Sequence, residues 1–291
     1  MTFKEFVHHT SRLIVRSPMT FIGLAYICLV TAAAILAPWI THQSFEIQNI
    51  SEQLQGPSLT HWMGTDSLGR DLYSRIVFGA RISLMVGIAT GLFSLVLGTA
   101  TGAIAGYYGG KIDQILMRIV DLFYVFPMLL TAILLSLLVG RGISGIVVAI
   151  GLSAWVTQAR LIRGLVLQTR EYPFVEAAKA MGLGDASVLI KHILPNLLGP
   201  VVVSLTFQIP TNILTESFLS FMGLGLQPPF ASWGTLANEG YRAMQSYPHL
   251  ILFPGIALFL TMLAFNFLGE GFRDLLDPRL KGTLSRRQDT V

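Results

Sequence analysis

Cysteine and charge are what this sequence of 291 residues has least of. With one cysteine, Cys28, no intrachain disulfide and no Cys-based metal site can form. Charged residues make up only 12% of the chain, hydrophobic residues reach 53% and the mean hydropathy is +0.63, a balance that does not describe a soluble domain. The histidines (His8, His9, His42, His61, His192 and His249) include no pair at metal-binding spacing on one helix face. A phosphate-cradling G-x-x-x-x-G-K-[ST] loop is missing. Its nearest approach, Ala105 to Ile112, has Gly110 and Lys111 but the wrong residue at either end. Neither a G-x-S-x-G elbow nor an H-E-x-x-H pair occurs. These absences exclude ATP binding through a P-loop, argue against a membrane-bound enzyme, and leave no candidate catalytic, cofactor-binding or metal-ligating residue. No low-complexity tract or strong internal repeat is present, which weakens an inverted-repeat secondary transporter as a reading.

What is there is apolar sequence in lengths of roughly 20 residues, enough to cross a bilayer as helix. The spacing predicts an all-α integral membrane protein with six transmembrane helices. A basic leader, residues 1–18 with Lys4, Arg12 and Arg16, precedes a first span at 19–40. Its apolar run is longer than a signal-peptide core, so it reads as an uncleaved span. Residues 41–83 read as an extracytoplasmic loop ending in an amphipathic surface helix from Arg70. A core of five helices follows over 84–270, with spans at about 84–105, 118–139, 143–156, 197–219 and 250–269, and a tail at 271–291. In the second span Gly87 and Gly91, and Gly98, Gly102 and Gly106, recur every four residues, which predicts close helix packing. Residues 107–117 read as a short polar turn and 223–248 as loop.

Basic residues set the orientation. With a cytoplasmic N-terminus, fifteen Lys and Arg fall inside and five (Arg70, Arg75, Arg81, Arg141, Arg242) outside, so both termini face the cytoplasm. The same rule accounts for the net charge of +4 without invoking nucleic acid.

One polar island, Glu171 to Pro195, stands between the fourth and fifth apolar segments on the cytoplasmic side. Pro173 suits a first helical turn, the following residues through Met181 are helix formers, and Gly182 and Gly184 permit a reversal. Asp185 then caps a second short helix to Leu194, which Pro195 closes before the next span. The spacing Glu176-Ala177-Ala178, three residues, Gly182, nine residues, His192-Ile193-Leu194-Pro195 resembles the EAA loop of ABC importer permeases, E-A-A-x3-G-x9-I-x-L-P. His192 departs from the usual aliphatic residue, and the run Lys191 to Asn196 is similar to that of the peptide-permease branch. Gly64-Thr65-Asp66, Gly69-Arg70-Asp71, Gly106 to Gly110, Glu216 with Leu219 to Gly225, and Asp277-Pro278-Arg279-Leu280 resemble further marks of the C-type permease subunit of dipeptide, oligopeptide and nickel importers.

The resemblance implies a type I importer permease bundle with cytoplasmic coupling helices in the bacterial inner membrane. It implies a second permease subunit, two cytoplasmic P-loop ATPase subunits and an extracytoplasmic substrate-binding protein as partners, with a peptide as cargo. Glu176, Ala177, Ala178, Gly182, His192, Leu194 and Pro195 would couple to the ATPases. Nickel or another small solute is the alternative cargo, and an ion-coupled secondary transporter the alternative from another class. The chain itself would be non-catalytic and hold no cofactor.

Ionisable residues in spans are candidates for the translocation pathway, since a charge at the helix centre costs about 3 kcal/mol or more. Asp121 could line the pathway or pair with Arg118. Gln208, Asn212 and Glu216 fall four apart on one helix face, and either line the pathway or hydrogen-bond between helices.

Overall fold

A computed structural model describes residues 17–140, 142–227 and 230–276, with residues 275 and 276 described without their side chains. The leader through residue 16, Arg141, Pro228, Pro229 and the tail with Asp277 to Leu280 lie outside the described residues. The described chain is all helix and connection, apart from an isolated bridge between Thr65 and Asp71. Helix α1, Pro18–Ile40, starts with proline at its first turn and Ser17 as cap. Helix α2, Leu72–Tyr108, starts at Asp71, whose carboxylate accepts from the Ser74 backbone N–H and hydroxyl, both at 2.8 Å. The segment from Arg70 is therefore not an amphipathic helix on the surface. It enters α2 directly, with Leu72, Ile76 and Arg75 all buried.

The turn expected at 107–117 is mostly helix. Gly109 at φ 64° reverses the chain in one step, and α3, Gly110–Tyr124, follows at once. The third span is broken: α3 and α4, Met128–Val139, meet at 90°. Pro127 sits at the break, where its ring restricts the preceding residue to extended backbone and its nitrogen cannot donate. Helix α5, Ile143–Thr169, is continuous, and α9, Trp233–Arg242, occupies the expected loop behind a Ser232–Thr235 capping box. Helix α10 is His249–Leu276. Among the described residues, five helices are long and apolar enough to cross a membrane, six if the bent α3–α4 pair is one span.

Packing follows the glycines. A Cβ on Gly98 would stand 2.5 Å from the Gln158 Cβ, one on Gly106 2.8 Å from the Arg163 carbonyl, and one on Gly102 would overlap the Ala159 carbonyl. That stripe brings α2 against the α5 backbone, the most extensive helix pairing in the molecule. Gly87 and Gly91 instead face Ile213, Leu205 and Ile209 of α8, Leu194–Phe221, so α2 holds a different neighbour with each of its glycine stripes.

Candidate functional site

The island folds as a helix, a tight reversal and a second helix. Helix α6, Pro173–Ala180, begins at Pro173. It ends in a Schellman motif: Gly182 N–H donates to the Lys179 carbonyl at 2.9 Å and Leu183 N–H to the Ala178 carbonyl at 3.3 Å. Gly182 carries the required left-handed backbone, φ 82°. Helix α7, Asp185–Val188, is capped by Gly184, so Asp185 is its first residue rather than its cap. Its carboxylate instead accepts from the Tyr107 hydroxyl at 2.7 Å.

Pro195 does not close this second helix. The chain widens into a π turn, Leu189–Ile193, and runs into α8, Leu194–Phe221, so Asp185 to Phe221 is one rod of 37 residues. Leu194 N–H reaches back to the Leu189 carbonyl. The extra residue in this turn falls where Pro195, lacking an N–H, cannot continue the α ladder. His192 and Leu194 are half-buried at this joint, and Pro195 is exposed.

One face of the island is inside. Val175, Ala178, Val188, Leu189, Ile193 and Leu197 form one cluster with Ala103 and Tyr107 of α2 and Ile162 and Val166 of α5. Polar ties reinforce it. Arg170 donates to the Gly106 carbonyl at 3.0 Å, and Lys179 lies 5.2 Å from the Tyr107 ring centroid. Nearby, Arg163 of α5 holds Asp113 of α3 through two bonds at 2.5 and 2.6 Å. The other face is open and mixed: Glu176 and Ala177 are exposed, beside Tyr172, Phe174, Leu183, Ile190 and Met181, the last 73% accessible. An exposed apolar patch of this kind on a polar segment is a feature that marks interaction sites. Sequence reasoning had Tyr107 only as part of the Gly106 to Gly110 family mark and did not single out Asp113 or Arg163 as site residues; the glycine stripe ending at Gly106 signals that this end of α2 packs on α5, where Arg163 sits.

The pathway candidates do not come together. Asp121, half-exposed, pairs with Arg160 rather than Arg118, and the Arg160 guanidinium lies 3.6 Å from the Tyr124 ring centroid. Gln208, Asn212 and Glu216 face inward from α8, Gln208 against α2 and α5 and Asn212 against α2. Gln208 accepts from Gln158 and donates to Ser94 at 2.8 Å. Glu216 is fully buried and accepts from Ser220 at 2.7 Å and Ser217 at 3.4 Å.

The charged cluster before α2 is also internal. Asp66 binds Arg70 at 2.7 Å and Arg75 at 2.5 Å, both arginines reach Glu239 of α9, and His61 contacts Asp71 at 3.0 Å. With Trp233 donating to the Ile76 carbonyl at 3.1 Å, these contacts anchor α9 on α2.

Residues 98–282 match the family described as binding-protein-dependent transport system inner membrane component. The dipeptide transport system permease protein DppC of Bacillus subtilis is 43% identical over 267 residues, 91% of this chain and 83% of that protein. The oligopeptide transport system permease protein OppC of the same organism is 40% identical, covering 90% and 86%. The glutathione transport system permease protein GsiD of Pectobacterium atrosepticum is 43% identical, covering 89% and 85%. Among solved structures, a crystal structure of an amino acid ABC transporter with histidines superposes with a TM-score of 0.54 at 16% identity, over 70% of this chain and 94% of that one. At that identity the likeness concerns the fold.

Proposed function

Because the chain belongs to the family of binding-protein-dependent transport system inner membrane components and is the non-catalytic permease half of a multi-subunit ABC importer, we propose that its cargo is a dipeptide or oligopeptide and that the island couples it to the ATPases. The observation that carries the coupling is the island's construction. Its exposed face holds Glu176 and Ala177, its buried face is keyed to α2 and α5, and its second helix is continuous with α8. A partner that moves the exposed face therefore moves the spans, with no flexible linker to absorb the stroke. Ala178 and Gly182 set the shape of the loop, and His192, Leu194 and Pro195 form its joint with α8. The peptide cargo is supported by the similar permeases, which belong to dipeptide, oligopeptide and glutathione transport systems.

The partners on this reading are a second permease subunit, two P-loop ATPases on the cytoplasmic side and an extracytoplasmic binding protein. Both termini face the cytoplasm, residues 41–83 lie largely outside, and 84–270 form the pathway-bearing core. Asp121 belongs to the inner part of that pathway, where its ion pair with Arg160 stays accessible.

Reconstitution tests the reading: the permease pair and ATPases in liposomes, with binding protein outside and ATP inside. Uptake of labelled dipeptide that requires ATP, ignores a proton gradient and is unaffected by nickel is the expected result. Uptake that persists without ATP and follows the proton gradient overturns it in favour of a secondary transporter, and nickel uptake without peptide uptake overturns the cargo.

A further inference from the structure

Helix α8 carries a polar residue every fourth position, Ser204, Gln208, Asn212, Glu216 and Ser220, a row about 24 Å long inside a bilayer core of about 30 Å. All but one are satisfied within the bundle. Ser204 donates to Gln158 at 3.2 Å, Gln208 bonds Gln158 and Ser94, and Glu216 accepts from Ser220 and Ser217. Asn212, in the middle, is fully buried, and neither its amide nitrogen nor its oxygen has a hydrogen-bond partner among the described residues.

An amide in this position has a reason, because buried polar groups are paired and the exceptions are informative. Across from Asn212 lies Gly91 of α2, whose Cβ position is 3.7 Å from the Asn212 nitrogen, so backbone rather than side chain fills the facing site. The hydroxyls nearest Gly91 along the sequence of α2 are Thr90 and Ser94. Thr90 donates to carbonyls of its own helix at 2.7 and 3.0 Å, and Ser94 donates to the Gly91 carbonyl at 3.0 Å. The Thr90 oxygen can still accept, and the Ser94 oxygen, which already accepts from Gln208, has one lone pair left. Potential partners therefore lie within about one helical turn of Gly91 along α2, and the gaps at Gly87 and Gly91, filled by Ile213 and Leu205, are themselves one turn apart.

We propose that Asn212 is a positioning residue of the transport cycle: its amide, unpaired in this arrangement, engages the Thr90 or Ser94 hydroxyl when α8 shifts along α2, so the polar row selects between two registers of the bundle. This rests on the importer reading, in which α8 is driven through the island. Left unpaired, the amide lowers the stability of this arrangement relative to the shifted one.

The test uses the assembled complex with Asn212→Leu, which keeps the branched shape and removes the amide, and Asn212→Ser, which keeps a donor and acceptor. Thermal unfolding is followed without nucleotide and after trapping with ATP and vanadate. The expected result for Asn212→Leu is a raised midpoint without nucleotide, a lowered midpoint when trapped, and peptide uptake at least tenfold slower with ATPase activity retained; Asn212→Ser restores most of the uptake. Midpoints that move together in either direction, or uptake unchanged by Asn212→Leu, overturn the proposal. If the wild-type complex shows no ATP-driven peptide uptake, the importer reading fails, while the two midpoints still report whether Asn212 discriminates between states.

Discussion

Gly182 is where a single backbone angle decides the shape of the proposed coupling loop. A Cβ there meets nothing within 4 Å, so the cost of a side chain is conformational alone, about 1 kcal/mol for alanine at φ 82°. Gly182→Ala is expected to retain most binding-protein-stimulated transport. Gly182→Pro cannot adopt the angle and loses the N–H that bonds Lys179; it is expected to abolish transport while the chain still inserts, as read by uptake and membrane fractionation. Equal uptake by the two variants would contradict the assignment. Gly102 obeys the opposite logic, since its Cβ would overlap the Ala159 carbonyl. Gly102→Leu should destabilise the bundle by about 1–3 kcal/mol and lower the unfolding midpoint of the purified complex. Tyr107→Phe removes one bond to a carboxylate, worth about 1.5–3 kcal/mol, and should lower uptake per ATP hydrolysed while leaving the permease assembled.

At the scale of elements, the division between what the sequence announced and what it hid has a physical basis. Long apolar runs and glycines at four-residue spacing announced the spans, the fold class and the tight α2 packing, because helix period and bilayer thickness leave few alternatives. The island's first helix and its reversal were legible from Pro173 and Gly182 for the same local reason. The joint was not: Pro195 is a stop signal by its own chemistry, and only the π turn ahead of it lets the rod continue into α8. Nor was the burial of Asp66, Arg70, Arg75 and Glu239, since charges drawn from opposite ends of the chain neutralise one another only after α9 has docked. Helix α9 itself depends on Trp233, buried against α2. Trp233→Ala should cost about 3–5 kcal/mol, read as protease cleavage of the 223–248 connection from the extracytoplasmic side.

In the molecule as a whole, one continuous path runs from an exposed surface on the island to the membrane-spanning rods. On the proposed function this surface lies in the cytoplasm against an ATPase subunit, and the lone cysteine makes that placement simple to test. Replacing Cys28 with serine clears the chain of thiols, and Ala177→Cys then places one on the exposed face of α6. In whole cells and in the isolated complex, the decisive measurement is maleimide cross-linking from this position. The account predicts that the thiol is protected from an impermeant maleimide outside intact cells and cross-links to the ATPase subunit through a short bifunctional maleimide. Labelling from outside, or a purified active complex in which the ATPase is never captured, would contradict it.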